Sequence, residues 1–163
     1  MKIGYLKKLG KKMSHKKFLK DLKKGEDVEK RLVEYLKKKY PKSYKIQGEN
    51  KDYDIVIPEK KKTIEVKNDI GSADTPNYFI EFSCNHKKSG IAATKADYWI
   101  IYDEVNVIWI KTSILKTICE ISGKYWKGIP KGSTTEVEAC LIPQGELRAK
   151  AEQITRGELY GLY

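Results

Sequence analysis

The stretch DYWIIYD, residues 97–103, leaves the fewest choices about what this chain can fold into. Its centre is apolar without alternation, so the strand it forms is buried and needs cover on both faces. VNVIWIK (105–111) follows at once and returns as its antiparallel partner. A strand pair of this kind belongs inside a layered α/β sandwich.

The rest of the chain supplies the layers. EDVEKRLVEYLKKKY (26–40) repeats Val28, Leu32, Tyr35 and Leu36 at helical spacing. Acids fill its first turn, lysines its last, and Pro41 follows, as a helix and its dipole require. SYKIQ, DIVI (54–57), TIEV (63–66, extended through Lys67) and YFIEFS (78–83) read as strands, with Pro58 and EKKK turning the chain between the second and third. KKSGIAATKA (87–96) reads as a helix or helical turn, SILKTICEI (113–121) as an amphipathic helix, VEACLI as a strand and ELRAKAEQI as a last helix. Ser14 can cap a short helix over HKKFLKDLKK, which Gly25 breaks. The predicted fold is α/β, a mixed central sheet flanked by helices. It forms one domain: a basic arm over 1–24, a core over 25–121 and an extension over 122–163.

The chain has 163 residues and a net charge of +11. The excess is concentrated: residues 1–48 hold 17 Lys and Arg against 5 acids. Such a block is either a footprint for polyanions or a solvated lysine face. No apolar run reaches membrane-span length, and the N-terminal stretch lacks the apolar segment of a secretory signal. Three dispersed cysteines, Cys84, Cys119 and Cys140, form no CxxC pair and fit small buried residues in a reducing compartment. The expected location is the cytoplasm, with no membrane partner.

Several chemistries are absent. There is no phosphate-cradling GxxxxGK[ST] loop, no GxGxxG and no GxSxG elbow. Only His15 and His86 are present, so histidine-based sites are poorly supported. What abounds is carboxylate and lysine.

Those groups converge in the DIVI–TIEVK hairpin. Side chains alternate along a strand, so Glu65 and Lys67 share a face opposite Ile64 and Val66. A turn near 59–61 brings Asp54 within about one residue of both. Two carboxylates and the Val66 carbonyl offer oxygen ligands to Mg²⁺, and Lys67 could stabilise charge growing on a phosphate. A hairpin with one wet, charged face accounts for the same pattern. Glu29, at the edge of the helix's apolar side, serves either the helix dipole or the same metal.

The order KGEDVEK, DYDIVIP, TIEVK resembles the PD-(D/E)XK nuclease superfamily. KKGEDVEKRLVEYLKKK is similar to the opening helix of archaeal Holliday-junction resolvases, in which a Gly stands four residues before the helical Glu, as Gly25 precedes Glu29. NYFIEFSCNHKKSGIAATKADYWIIYD (77–103) looks like phage- and prophage-encoded nucleases of the superfamily. The likeness spans about residues 20–120, and Tyr53 stands where the name has Pro. It implies a restriction-endonuclease-like αβββαβ core, Mg²⁺ or Mn²⁺, and hydrolysis of DNA phosphodiesters. Asp54, Glu65, the Val66 carbonyl and Glu29 would hold metal, with Lys67 the catalytic lysine.

Glu81 would be a further acid and Lys95 a polar group reaching the site or DNA; each also fits an ordinary surface role. Lys11, Lys12, Lys16 and Lys17 of the arm would contact backbone phosphates. A structure-specific enzyme on branched DNA, a homodimer, and a phage product in host cytoplasm all suit this reading. RNA cleavage by the same site, or a non-catalytic nucleic-acid-binding module, are the alternatives. Tyr125, Trp126 and Lys127 serve packing or base stacking.

Overall fold

A computed structural model describes residues 28–48, 52–103 and 105–156. The basic arm, including Lys11, Lys12, Lys16 and Lys17, lies outside the described residues. A helix, α1, occupies 28–37. It buries Val28, Leu32, Val33 and Leu36 on one face, the periodicity its sequence carries.

Six strands form the first sheet: β1 (Tyr44–Lys45), β2 (Ile55–Ile57), β3 (Lys62–Asn68), β6 (Tyr98–Tyr102), β7 (Asn106–Lys111) and β10 (Gln153–Arg156), in the spatial order β1-β2-β3-β6-β7-β10. All neighbours are antiparallel except β3 and β6, which run parallel. Asp97 locks that parallel start: its carboxylate accepts the Thr63 amide at 2.9 Å and the Thr63 hydroxyl at 3.0 Å. The unbroken apolar run of β6 is explained by its central place. Ile100 and Tyr102 face α1, whereas Trp99 and Ile101 face the other way.

The second face is covered mainly by another sheet, and here the structure departs from a single sheet flanked by helices. β4 (Asn77–Cys84), β5 (Lys87–Lys88), β8 (Lys124–Gly128) and β9 (Val137–Pro143) form an antiparallel sheet in the order β5-β4-β9-β8. Tyr78 and Ile80 of β4, with Cys140 and Ile142 of β9, meet Trp99, Ile101, Ile108 and Ile110 of the first sheet. Helix α3 (Thr112–Ser122) contributes Leu115 and Ile118 to this core, and α4 (Gln144–Lys150) contributes Leu147. β4 finds one of its two partners, β9, beyond residue 122, and β10 pairs with β7, so the predicted extension is woven into both sheets.

Of the two expected helical segments, KKSGIAATKA forms the helical turn and ELRAKAEQI a shortened helix. Within KKSGIAATKA only α2 (Gly90–Ala93) is helical. A turn at Asn85 and His86, both with positive φ, folds β5 back on β4. ELRAKAEQI ends its helix at Lys150, and the chain then extends as β10 against β7. The three cysteines are free, and only Cys140 is buried. Among the described residues no helix is long and apolar enough to cross a membrane.

Candidate active site

β2 is shorter than β3, and the site occupies the space this mismatch leaves. Their regular register ends where Ile55 pairs with Ile64. Asp54 continues the pairing irregularly. Its amide donates to the Ile64 carbonyl at 2.8 Å, and its Oδ2 accepts the Val66 amide at 2.7 Å. Main chain and side chain of Asp54 therefore bracket Glu65. The carboxylate takes the ladder position that a longer β2 would have filled with a carbonyl, satisfying a buried N–H. Asp54 is only 5% exposed.

Glu65 and Lys67 lie on the face of β3 opposite Ile64 and Val66, as alternation demands. Lys67 Nζ is 2.8 Å from Glu65 Oε1. The Glu65 side chain is 14% exposed and that of Lys67 43%, so the carboxylate is inset and the ammonium reaches solvent. Parallel pairing sets Trp99 beside Glu65, and the Lys67 ammonium sits 5.3 Å from the Trp99 ring centroid. That ring is a neighbour the sequence did not reveal, because only the β3–β6 register brings it there. A cation over an indole face is held by the ring quadrupole.

The other expected residues fall in distinct places. Glu29 forms an ion pair with Lys45 at 2.8 Å, both side chains largely buried. Lys45 pairs across the strands with Ile55, which packs toward α1, so this contact ties α1 to β1. Glu81 belongs to the second sheet, where its Oε1 accepts the Ser89 hydroxyl at 2.6 Å. Lys95 lies in the loop after α2. Its Nζ is 3.2 Å from Asp52 Oδ2 and its amide donates to the Asp52 carbonyl at 3.4 Å, joining that loop to the segment entering Asp54. Trp126 packs edge-on against Phe79, with centroids 5.1 Å apart, while the Tyr125 hydroxyl donates to Glu138 at 2.7 Å.

Beyond Lys67 the strand ends in a clasp. Asp69 accepts the Phe79 amide at 3.0 Å and the Ser72 amide at 3.1 Å, fastening β3 to the start of β4. Burial pushes its carboxyl above the ordinary range, against the pull of those two amides. Asp103, at the β6–β7 turn, behaves oppositely. Burial opposes its ionisation, but hydrogen bonds from the Asn106 amide and side chain, the Tyr78 hydroxyl and the Val105 amide outweigh it and lower its pKa.

Among the described residues no three carboxylate, histidine or cysteine side chains converge closely enough to hold a metal ion. Asp54 and Glu65 remain a two-carboxylate pair with all-oxygen donors, the set a hard cation such as Mg²⁺ uses when waters and phosphate oxygens complete its shell. In that chemical sense the residues fit such a cation. No protein-family model, curated protein or solved structure matches the chain.

Proposed function

We propose that this chain is a divalent-metal-dependent endonuclease that hydrolyses DNA phosphodiesters, with a restriction-endonuclease-like core. The observation carrying the reading is the bracketing of Glu65 by Asp54, with Lys67 2.8 Å from the Glu65 carboxylate. The order of elements supports it. α1, β1, β2 and β3 follow in the order of the first four elements of an αβββαβ core, and β6 lies parallel to β3, with the acid before β2 and the Glu-x-Lys on β3. The crossover from β3 to β6 differs from a simple helix, since it carries β4, β5 and the four-residue α2.

Asp54, Glu65 and the Val66 carbonyl would hold Mg²⁺ or Mn²⁺. Such a cation supplies Lewis-acid charge at the scissile phosphate. The chain's own residues do the remaining work. The Val66 amide fixes the Asp54 carboxylate, and the buried β2–β3 pair fixes Glu65, so both acids are preorganised. The Lys67 ammonium, anchored by Glu65 and Trp99, orients the attacking water and stabilises charge on the pentavalent phosphorus. Water adds its oxygen to phosphorus, one P–O ester bond breaks, and the departing oxygen takes a proton. The basic first third of the chain supplies salt-sensitive contacts to phosphates with little base readout.

The test is incubation of branched, single-stranded and double-stranded DNA, and of RNA, with Mg²⁺, Mn²⁺ or EDTA. DNA cleavage that needs a metal and is lost in Glu65→Ala and Lys67→Ala is expected. Cleavage of RNA alone would change the substrate, and no cleavage of any substrate would remove the enzymatic reading.

A further inference from the structure

Helix α1 covers only part of its sheet face. Beyond its C-terminal end lies a cleft of about 730 Å³, within the roughly 300–1,000 Å³ typical of ligand sites. Four aromatic residues line it: Tyr35 on α1, Tyr40 just after it, Tyr98 on β6 and Trp109 on β7. Each is partly buried against the core under α1, which fixes the ring while leaving part of it accessible. Lys38, Lys39 and Lys60 also line the cleft and are exposed. The ammoniums of Lys39 and Lys60 lie 5.5 and 5.8 Å from the Tyr40 centroid, and that of Lys38 lies 5.9 Å from that of Tyr35.

We propose that this cleft is a binding site for single-stranded nucleic acid, with bases against the aromatic rings and phosphates against the lysines. Rings that stack bases beside cations that follow a backbone are the two components such a site needs. The charge is complementary to a polyanion. Among the described residues no ion pair engages Lys38, Lys39 or Lys60, and the one acid in the lining, Glu152, is paired with Lys111 at 3.1 Å. Burial and the Glu152 carboxylate hold the Tyr98 hydroxyl above its ordinary pKa, so this ring keeps a neutral phenol. The basic arm is a poor occupant, since residues 1–24 carry ten lysines against one acid and would meet like charge.

The site is separate from the proposed cleavage centre. Lys62 and Trp109 belong to the α1 side of the sheet, whereas Glu65 and Lys67 point to the other side. A strand held here is tethered to the enzyme without occupying Asp54 and Glu65, and its binding needs no metal.

The test uses the full chain in EDTA with an eight-residue oligothymidylate carrying 5-iodouracil. Photo-crosslinked peptides are mapped by mass spectrometry, and affinity is measured by anisotropy. Crosslinks to Tyr35, Tyr40, Tyr98 or Trp109 are expected. Lys39→Glu with Lys60→Glu, both at exposed positions, should weaken binding at least tenfold and reduce the salt slope by about 1.4, the value for two phosphates that lysine no longer neutralises. Circular dichroism verifies that the double variant is folded. Crosslinks confined to other residues, affinity within twofold of the parent, or equal affinity for thymidine monophosphate would overturn the assignment. A chain that crosslinks here yet cleaves nothing would refute the nuclease reading and leave this one standing.

Discussion

Asp54 binds β3 on both sides of Glu65, its amide to the Ile64 carbonyl at 2.8 Å and its carboxylate to the Val66 amide at 2.7 Å. One residue thus terminates a strand pairing and sets the acid proposed to act in cleavage. Asp54→Ala should remove both functions. Leaving the Val66 amide without its charged acceptor in a buried position is expected to cost about 1–3 kcal/mol, read as a lower urea midpoint at unchanged m-value. Cleavage should be lost in the protein that remains folded. Asp54→Asn keeps an oxygen for Val66, so it should recover much of the stability but not the activity.

Glu29 and Glu65 are predicted to separate in kinetics. Glu29 is bound to Lys45 and ties α1 to β1, whereas Glu65 is bracketed by Asp54. Glu29→Gln is therefore expected to lower thermal stability while reducing cleavage far less than Glu65→Gln. Equal loss of cleavage in two well-folded variants would return Glu29 to the catalytic group.

The Asp103 network predicts a pH dependence with two limbs. Asp103 has a depressed folded pKa, so its contribution is present above the unfolded value of about 3.9 and is lost as pH falls through the folded one. Asp69 runs the other way: its raised pKa means that its ionisation opposes folding, and acid relieves it. Tyr78 is fully buried and its phenol is pushed up to about 12, first by burial and then by Asp103. Its contribution is present below the unfolded value near pH 10 and is lost as pH rises toward 12. Chemical denaturation from pH 2 to 11 should show Asp103→Asn flattening the acid limb and Tyr78→Phe flattening the start of the alkaline one.

Gly90 resists a side chain on two counts, backbone conformation and space. Its φ is +47°, and a Cβ there would collide with the Glu81 carbonyl oxygen. Gly90→Ala should lower the melting temperature and loosen the Ser89–Glu81 contact. Hydrogen exchange over residues 81–93 would register the change.

Much of this architecture could be read from residue order. The alternation in TIEVK separates Ile64 and Val66 from Glu65 and Lys67, and the acids and Pro41 around 26–40 mark a helix that contains the observed 28–37. The bare run in DYWIIYD follows from its central, doubly covered position. What could not be read was long-range pairing. YFIEFS carries the same pattern in either sheet, and its partner β9 lies more than fifty residues away. β8 has no apolar alternation to mark it, because three of its five residues are exposed and two of those are lysines. The Trp99 ring beside Lys67 depends on a parallel register that a local pattern does not encode. The arrangement of Asp54 was half legible: a hairpin brings it near Glu65, but its capture of the Val66 amide follows from where β2 stops.

Asp54, Glu65 and Lys67 are proposed to hydrolyse phosphodiesters with a divalent metal. A single-turnover cleavage assay on branched and linear DNA, titrated with Mg²⁺ and Mn²⁺, compares the parent chain with Lys67→Ala. Metal-dependent cleavage is expected to saturate with Mg²⁺ or Mn²⁺ and to fall by at least a hundredfold in Lys67→Ala, with both proteins equally folded. Cleavage that persists in EDTA, or that Lys67→Ala leaves intact, would contradict the proposal.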